Sequence, residues 1–386
     1  MTAPIEPFRV EVPETVLEDL RVRLANTRWP DQLPDVGWEP GAELGAVREL
    51  CRHWAHDFDW RAVEARLNGW DQFVTETPGG ERLHFLHVRS PEAGALPLVL
   101  THGWPGSIIE FLEVIGPLVD PVAHGGDAAD AFHVVVPSIP GYAFSGPTRH
   151  PGVDAGQVTE AVADLMGRLG YERYGTQGGD WGSLIARRLG IVDAEHVAGV
   201  HVNMFIVGPP AEGAFDNVSE DELARLGAGA EMAKTGIGYL QIQSTKPQTL
   251  AYGLTDSPAG LAAWILDKLH AWTDHGPDEV SALTADQMLA NITAYWVTGT
   301  ANSAARLYWE SKRAHTAGDD MTIDRVEVPM GYADFPGELY RPPRAWLEAA
   351  ANLVHFTTMP RGGHFAAWEQ PELFVDDVRT FFRLVR

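Results

Sequence analysis

Asp180 stands in the run Gly178-Gly179-Asp180-Trp181-Gly182, between a short apolar stretch, Tyr174 to Thr176, and a helix-like one, Ser183 to Leu189. A glycine, any residue, a nucleophile, any residue and a glycine between strand and helix is the spacing of a sharp turn that lifts one side chain above a sheet. The glycines are required because backbone meets backbone there, leaving no room for a Cβ, and the nucleophile itself takes a strained conformation. A carboxylate at that position can attack an sp³ carbon and form a covalent alkyl ester, which water must then cleave. Ser183, which an ester hydrolase would use, comes three residues late and one turn into the helix, directed away from the turn. The run by itself also fits an ordinary tight loop with an aspartate helix cap. The remaining parts of the chemistry therefore have to be found elsewhere.

Cleaving an alkyl ester calls for donors to the developing oxyanion, a base for water and an acid that orients the base. His102-Gly103-Trp104-Pro105 follows the apolar run Leu96 to Thr101, the place from which a second backbone N–H reaches an oxyanion in such an arrangement. The amides of Trp104 and Trp181 are the candidate donors. Arg361-Gly362-Gly363-His364-Phe365 follows the run Leu353 to Met359, and its glycines free a loop to hold His364 as a general base. Among 15 histidines, order singles out His364, since nucleophile, acid and histidine must follow one another along the chain. The acid belongs after Val326 to Met330, where the loop Ala333-Asp334-Phe335-Pro336-Gly337-Glu338 offers two carboxylates. Spacing leaves Asp334 and Glu338 level. None of these steps uses a metal or an organic cofactor, and the sequence contains no P-loop, dinucleotide fingerprint or metal-ligand cluster, so no cofactor is expected.

The elements that position these residues are legible as changes of period. Pro13 to about Trp70 repeats apolar residues at helical spacing (Val16, Leu20, Leu24; Val47, Leu50, Trp54), interrupted by a proline and glycine cluster, and predicts an α-rich N-terminal arm. Gln72 to Thr77 and Leu83 to Arg89 flank Pro78-Gly79-Gly80 and predict a hairpin that begins the sheet. Leu96 to Thr101, Phe132 to Val136 and Val197 to Val202 are short apolar runs of the buried parallel type, alternating with a helical face at Val158, Val162, Leu165, Met166 and Leu169. The alternation predicts an α/β class with a doubly wound, mostly parallel sheet. Strand-like runs vanish between about Gly208 and Lys312, where aromatic helical sequence predicts a cap inserted in the sheet domain. They return at Val326, and Pro371 to Val385 predicts a closing amphipathic helix. The expected organisation is an arm plus first hairpin at 1–90, sheet domain at 91–207, helical cap at 208–320 and the rest of the sheet domain at 321–386.

Composition narrows the partners. In 386 residues, 53 acidic against 29 basic side chains give a formal charge of −24, which repels phosphate backbones and anionic membrane surfaces, so no nucleic-acid or membrane partner is expected. Cys51 is the single cysteine, which rules out an intrachain disulfide and suits a reducing compartment. With neither a signal-peptide pattern nor a membrane-length apolar run, the expected location is cytoplasmic. Small substrate and water are the expected partners, with a homodimer as the one assembly considered.

Taken together the motifs resemble those of the microsomal class of epoxide hydrolases, including the juvenile-hormone enzymes, over nearly the whole chain. The resemblance rests on Thr27-Arg28-Trp29-Pro30 and Phe58-Asp59-Trp60-Arg61 in the arm, and on His102 to Ser107 and Gly178 to Gly182. Gln243-Ser244-Thr245-Lys246-Pro247, Thr255-Asp256-Ser257-Pro258, Tyr295-Trp296 and Gly362 to Ala367 extend it. It implies an α/β-hydrolase fold with cap and arm, and hydrolysis of an epoxide to a vicinal diol. It also implies that the acid is the glutamate of a Phe-Pro-x-Glu-Leu run, which falls on Glu338, and that two cap tyrosines, falling on Tyr239 and Tyr308, hold and protonate the epoxide oxygen. Mammalian and insect members carry an N-terminal membrane anchor, whereas this chain starts almost directly at the arm, so the likeness is to the soluble bacterial members. Those serve detoxification, hydrocarbon catabolism or natural-product and antibiotic assembly, and the cap aromatics favour an aryl or otherwise apolar epoxide. The alternatives are a haloalkane dehalogenase, which shares the elbow aspartate but releases halide and needs no phenols, and a non-catalytic receptor on the same scaffold.

Overall fold

A computed structural model describes residues 3–317 and 325–386; the expected division at 320/321 falls outside them. Nine strands form one sheet in the order β1-β2-β3-β5-β4-β6-β7-β8-β9. They are β1 (Glu6–Phe8), β2 (Gln72–Glu76), β3 (Arg82–Val88), β4 (Leu96–Thr101), β5 (Phe132–Pro137), β6 (Tyr174–Gly178), β7 (Val197–Val202), β8 (Val326–Asp334) and β9 (Ala351–Thr358). Strands β1, β2, β3 and β5 pair antiparallel, and all pairs from β5 through β4 to β9 are parallel. The hairpin of β2 and β3 does not begin the sheet as expected. Three residues of the arm's start, β1, pair with β2 outside it, a strand too short to show a period in sequence.

Helices cover both faces of the parallel part, which is why β6 and β7 are buried at every position. Alternation along β7 shows how. Gly199 faces the closing helix Pro371–Phe382, where a Cβ would lie 2.9 Å from the Phe381 ring. Its neighbour Val200 faces the opposite helix, Asp180–Val192, where a Cβ on Gly190 would meet Val200 at 2.7 Å.

Between β7 and β8 the chain leaves the sheet for the cap helices Glu220–Gly236, Gly238–Thr245, Pro247–Asp256, Pro258–Ala271, Ala285–Thr298 and Ala301–Ala317. Capping boxes start two of them, Ser219 with Glu222 and Thr284 with Gln287, and Gly299 at φ 63° ends one. The arm helices Glu14–Ala25, Leu44–His56 and Trp60–Leu67 pack on the cap. Trp38 stacks on His270 with centroids 3.8 Å apart, and Arg23 pairs with Asp256 at 2.8 Å. Cys51 is buried, and burial pushes its thiol up to about 12. No helix of the described residues is long and apolar enough to cross a membrane.

The strand order reverses around β4. The chain runs from β4 outward to β5 and then returns to β6 on the other side, so the loops leaving the carboxyl ends of β4 and β6 diverge and open a crevice. The His102-Gly103-Trp104 loop leaves one of these strands and the Asp180 turn the other.

Candidate active site

The turn at Asp180 is built by the absence of side chains. A Cβ on Gly178 would lie 2.1 Å from the Gly182 carbonyl oxygen, and one on Gly182 would lie 1.8 Å from that of Thr101. Asp180 itself has φ 49°, the left-handed region that costs a non-glycine residue about 1–3 kcal/mol. The helix begins at Asp180 rather than at Ser183. Ser183 Oγ donates to the Asp180 carbonyl at 2.7 Å, so its hydroxyl serves the helix's first turn.

The Asp180 carboxylate has one oxygen on each of two partners. Oδ1 accepts the Trp104 amide at 2.8 Å, and Oδ2 lies 3.4 Å from Nε2 of His364. Gly103 makes the first contact possible, because a Cβ there would fall 2.1 Å from Oδ1. Trp181 is the second residue of the helix, among the amides that have no acceptor within it.

On its far side His364 Nδ1 lies 2.8 Å from Glu338 Oε1, which also accepts the Leu339 amide at 2.7 Å. The Glu338 side chain is 0% exposed and that of His364 2%. Burial alone would depress the imidazole, yet the charge of Glu338 and the contacts to Asp180 outweigh it and hold His364 well above its ordinary value. Asp334 occupies a different environment. It ends strand β8 rather than lying in the loop, and its oxygens accept Arg341 Nε and Nη2, each at 2.7 Å, and Arg225 Nη1 at 3.2 Å.

Tyr239 and Tyr308 come from the cap helices Gly238–Thr245 and Ala301–Ala317. Their rings stand 6.1 Å apart at 85°, Tyr239 stacks on Trp104 at 5.1 Å, and Tyr308 meets the Trp181 ring edge-on at 4.8 Å. Burial first and the nearby Asp180 charge second push both phenols above their ordinary value, so both keep their protons at neutral pH. A cavity of about 520 Å³ runs from Asp180, between the two tyrosines and Trp181, past Leu184, Phe205 and Ile206.

Several residues shape the site through contacts that spacing in the sequence does not assign to them. Asn291 Nδ2 donates to the Pro105 carbonyl and the Tyr295 hydroxyl to that of Gly106, each at 2.7 Å, so one cap helix braces the Trp104 loop. His102, depressed to about 4 by burial, is neutral. Its Nε2 accepts the Ile139 amide at 3.1 Å, which leaves Nδ1–H to donate to the Gly103 carbonyl. The His364 loop is tied to the cap through its own amide, which donates to the Trp272 carbonyl at 3.0 Å. Glu369 gathers the amides of Asp274, Gly363 and Phe365 at 2.8–2.9 Å, and burial still pushes its carboxyl up to about 7.

Comparison with known proteins follows the same outline. Residues 5–111 match the family described as epoxide hydrolase N terminus, and residues 97–217 match the alpha/beta hydrolase fold. A protein of Stigmatella aurantiaca, whose name assigns it provisionally to the epoxide hydrolases, is 43% identical over 99% of this chain and 86% of its own. Epoxide hydrolase 1 of Sus scrofa is 35% identical over 99% of this chain and 89% of its own. The crystal structure of juvenile hormone epoxide hydrolase from Bombyx mori superposes with a TM-score of 0.91 at 33% identity, covering 100% of this chain and 95% of that one.

Proposed function

Because the chain belongs to the epoxide hydrolase family, within the α/β-hydrolase fold, we propose that it converts an apolar or aryl epoxide to a vicinal diol through an ester on Asp180. The observation that carries this reading is the division of the Asp180 carboxylate, with Oδ1 on the Trp104 amide and Oδ2 towards His364. Oδ2 attacks an epoxide carbon and the C–O bond of the ring breaks. The oxygen that departs as an alkoxide takes a proton from Tyr239 or Tyr308, which burial keeps protonated for that purpose.

Esterification removes the Asp180 charge, one of the two that raise His364, and thereby frees the imidazole to act as a base. Water gives its proton to Nε2 and its oxygen adds to Asp180 Cγ, while Oδ1, becoming an oxyanion, is held by the Trp104 and Trp181 amides. Glu338 stabilises the imidazolium so formed. Collapse breaks the bond between Cγ and the alkyl oxygen, which takes the proton from His364 as the diol leaves, and the carboxylic acid left on Asp180 gives up water's second proton, which restores the phenol spent in ring opening. The wall of Trp181, Leu184, Phe205 and Ile206 suits an apolar substituent. Detoxification, hydrocarbon catabolism and natural-product assembly all use this step.

The test is turnover of styrene oxide by Tyr239→Phe, Tyr308→Phe and the double variant. Diol formation is expected to fall in each single variant and to vanish in the double one; undiminished turnover by the double variant refutes the proton route. Halide release from a haloalkane by the wild type, with no diol from any epoxide, would overturn the reading as a whole.

A further inference from the structure

A second cavity shares Asp180 with the first but neither tyrosine. It holds about 20 Å³, room for a single water, and beside apolar rings such as Phe111 and Phe374 its wall includes Asp180, His364, Asn203, His102, Gln177 and Glu110. Most of these are committed elsewhere. His102 uses both ring nitrogens on backbone groups, Asn203 Nδ2 donates to the His364 carbonyl at 3.4 Å, and Asn203 Oδ1 accepts Gln177 Nε2 at 3.1 Å. On this wall, among the described residues, Gln177 Oε1 and the Thr101 hydroxyl have no partner, and the Glu110 carboxyl, one oxygen of which meets the Ser107 amide, has a second oxygen to offer.

Glu110 lies on the one-turn 3₁₀ helix Ile108–Phe111 that follows the Trp104 loop, and it is 9% exposed. Its carboxyl folds back over that loop so closely that a Cβ on Gly106 would fall 1.4 Å from Oε1. The glycine of Trp104-Pro105-Gly106 thus clears the space that the carboxyl occupies. Burial pushes Glu110 up to about 8, with His364 pulling it down and Asp180 pushing it further up, so the carboxyl lies within electrostatic reach of both. The course proposed above gives Glu110 no task.

We propose that Glu110 positions the hydrolytic water, holding one hydrogen of a molecule whose other hydrogen points to His364 Nε2 and whose lone pair faces Asp180 Cγ. This rests on the ester course. It assigns Glu110 to the second half of the reaction, because attack on the epoxide proceeds from the other cavity. A group that orients water without carrying its proton contributes about 10- to 100-fold to the rate of the step it serves.

The experiment is rapid mixing of the full chain with styrene oxide, with intact-protein mass spectrometry of quenched samples to follow the adduct on Asp180. Wild type, Glu110→Gln, Glu110→Ala and His364→Gln are compared. The expected result is that both Glu110 variants form the ester within about threefold of the wild-type rate, that Glu110→Ala hydrolyses it about 10- to 100-fold more slowly, so that kcat and KM fall together, and that Glu110→Gln, whose amide oxygen still accepts the water's hydrogen, keeps most of the hydrolysis rate. Ester decay at the wild-type rate in Glu110→Ala overturns the inference, as does an equal loss in formation and hydrolysis, which marks a merely structural residue. Absence of any adduct in His364→Gln overturns the ester course itself, and the inference with it.

Discussion

Glu338→Gln and Asp334→Asn are expected to separate catalysis from stability at two carboxylates only four residues apart. Asp334 accepts three charge-assisted bonds from Arg341 and Arg225 and its side chain is 3% exposed, while the two guanidinium groups stay part-exposed, at 15% and 29%, and Arg225 keeps a second partner in Asp221. Weakening charge-assisted bonds of that kind costs about 1.5–3 kcal/mol. At about 2.1 cal/mol/K per residue, 386 residues give an unfolding entropy near 0.8 kcal/mol/K, so Tm falls by about 2–4 °C. No contact of Asp334 reaches the site, and kcat stays within about threefold. Glu338 has the opposite profile. A glutamine can keep Oε1 on His364 Nδ1 and on the Leu339 amide, at 2.8 and 2.7 Å in the native protein, so Tm moves by less than about 2 °C. What it cannot do is stabilise the imidazolium, and ester hydrolysis falls by about 10²- to 10⁴-fold. Scanning calorimetry and steady-state diol formation on the two variants decide the matter. Full activity in Glu338→Gln, or loss of activity in Asp334→Asn at unchanged Tm, refutes the assignment of roles.

Removing the Asp180 charge by Asp180→Asn, which tolerates the left-handed backbone at φ 49°, lowers the pKa of His364 towards its ordinary value, as read by NMR titration of the ring; an unmoved titration contradicts the electrostatic coupling. The stability sign follows: a raised His364 stabilises the native state fully below about pH 6.5 and loses that contribution as pH rises through the raised value, so the variant's Tm depends less steeply on pH across that window. Tyr295→Phe leaves the buried Gly106 carbonyl without its donor, costing about 1–3 kcal/mol, or about 1–4 °C in Tm. It also loosens the loop that carries Trp104, so diol formation drops as well; a variant with native Tm and rate would remove Tyr295 from the brace.

Elements whose residues repeat with a period were legible in the sequence, and so was the turn at Asp180, where glycine is needed for local steric reasons. Contacts made across long separations were not. Strand β1 is three residues long and exists because β2 offers it an edge. Asp334 reads as a loop residue because Phe335 and Pro336 follow it, yet pairing with β9 carries β8 as far as Asp334. Spacing could not rank Asp334 against Glu338, since the difference lies in which neighbour faces each: arginines in one case, an imidazole in the other. Tyr295, Asn291 and Trp272 look like ordinary cap residues until the cap is laid on the sheet domain. Glu110 reads as one more acidic residue among 53.

The packing of the arm on the cap bears on how the molecule can be re-engineered. Leu50 and Trp54 of the arm are buried beside cap helix Pro258–Ala271, and His53 reaches Asp286 at 2.7 Å, so the two segments share one apolar seam although some 200 residues separate them in sequence. Cap helix Ala285–Thr298, which belongs to that seam, is also the one whose Asn291 and Tyr295 grip the Trp104 loop. A graft that exchanges the cap alone for that of a relative would join mismatched halves of the seam and disturb the loop beneath it. The unit to transplant when specificity is to be changed is the arm and the cap together.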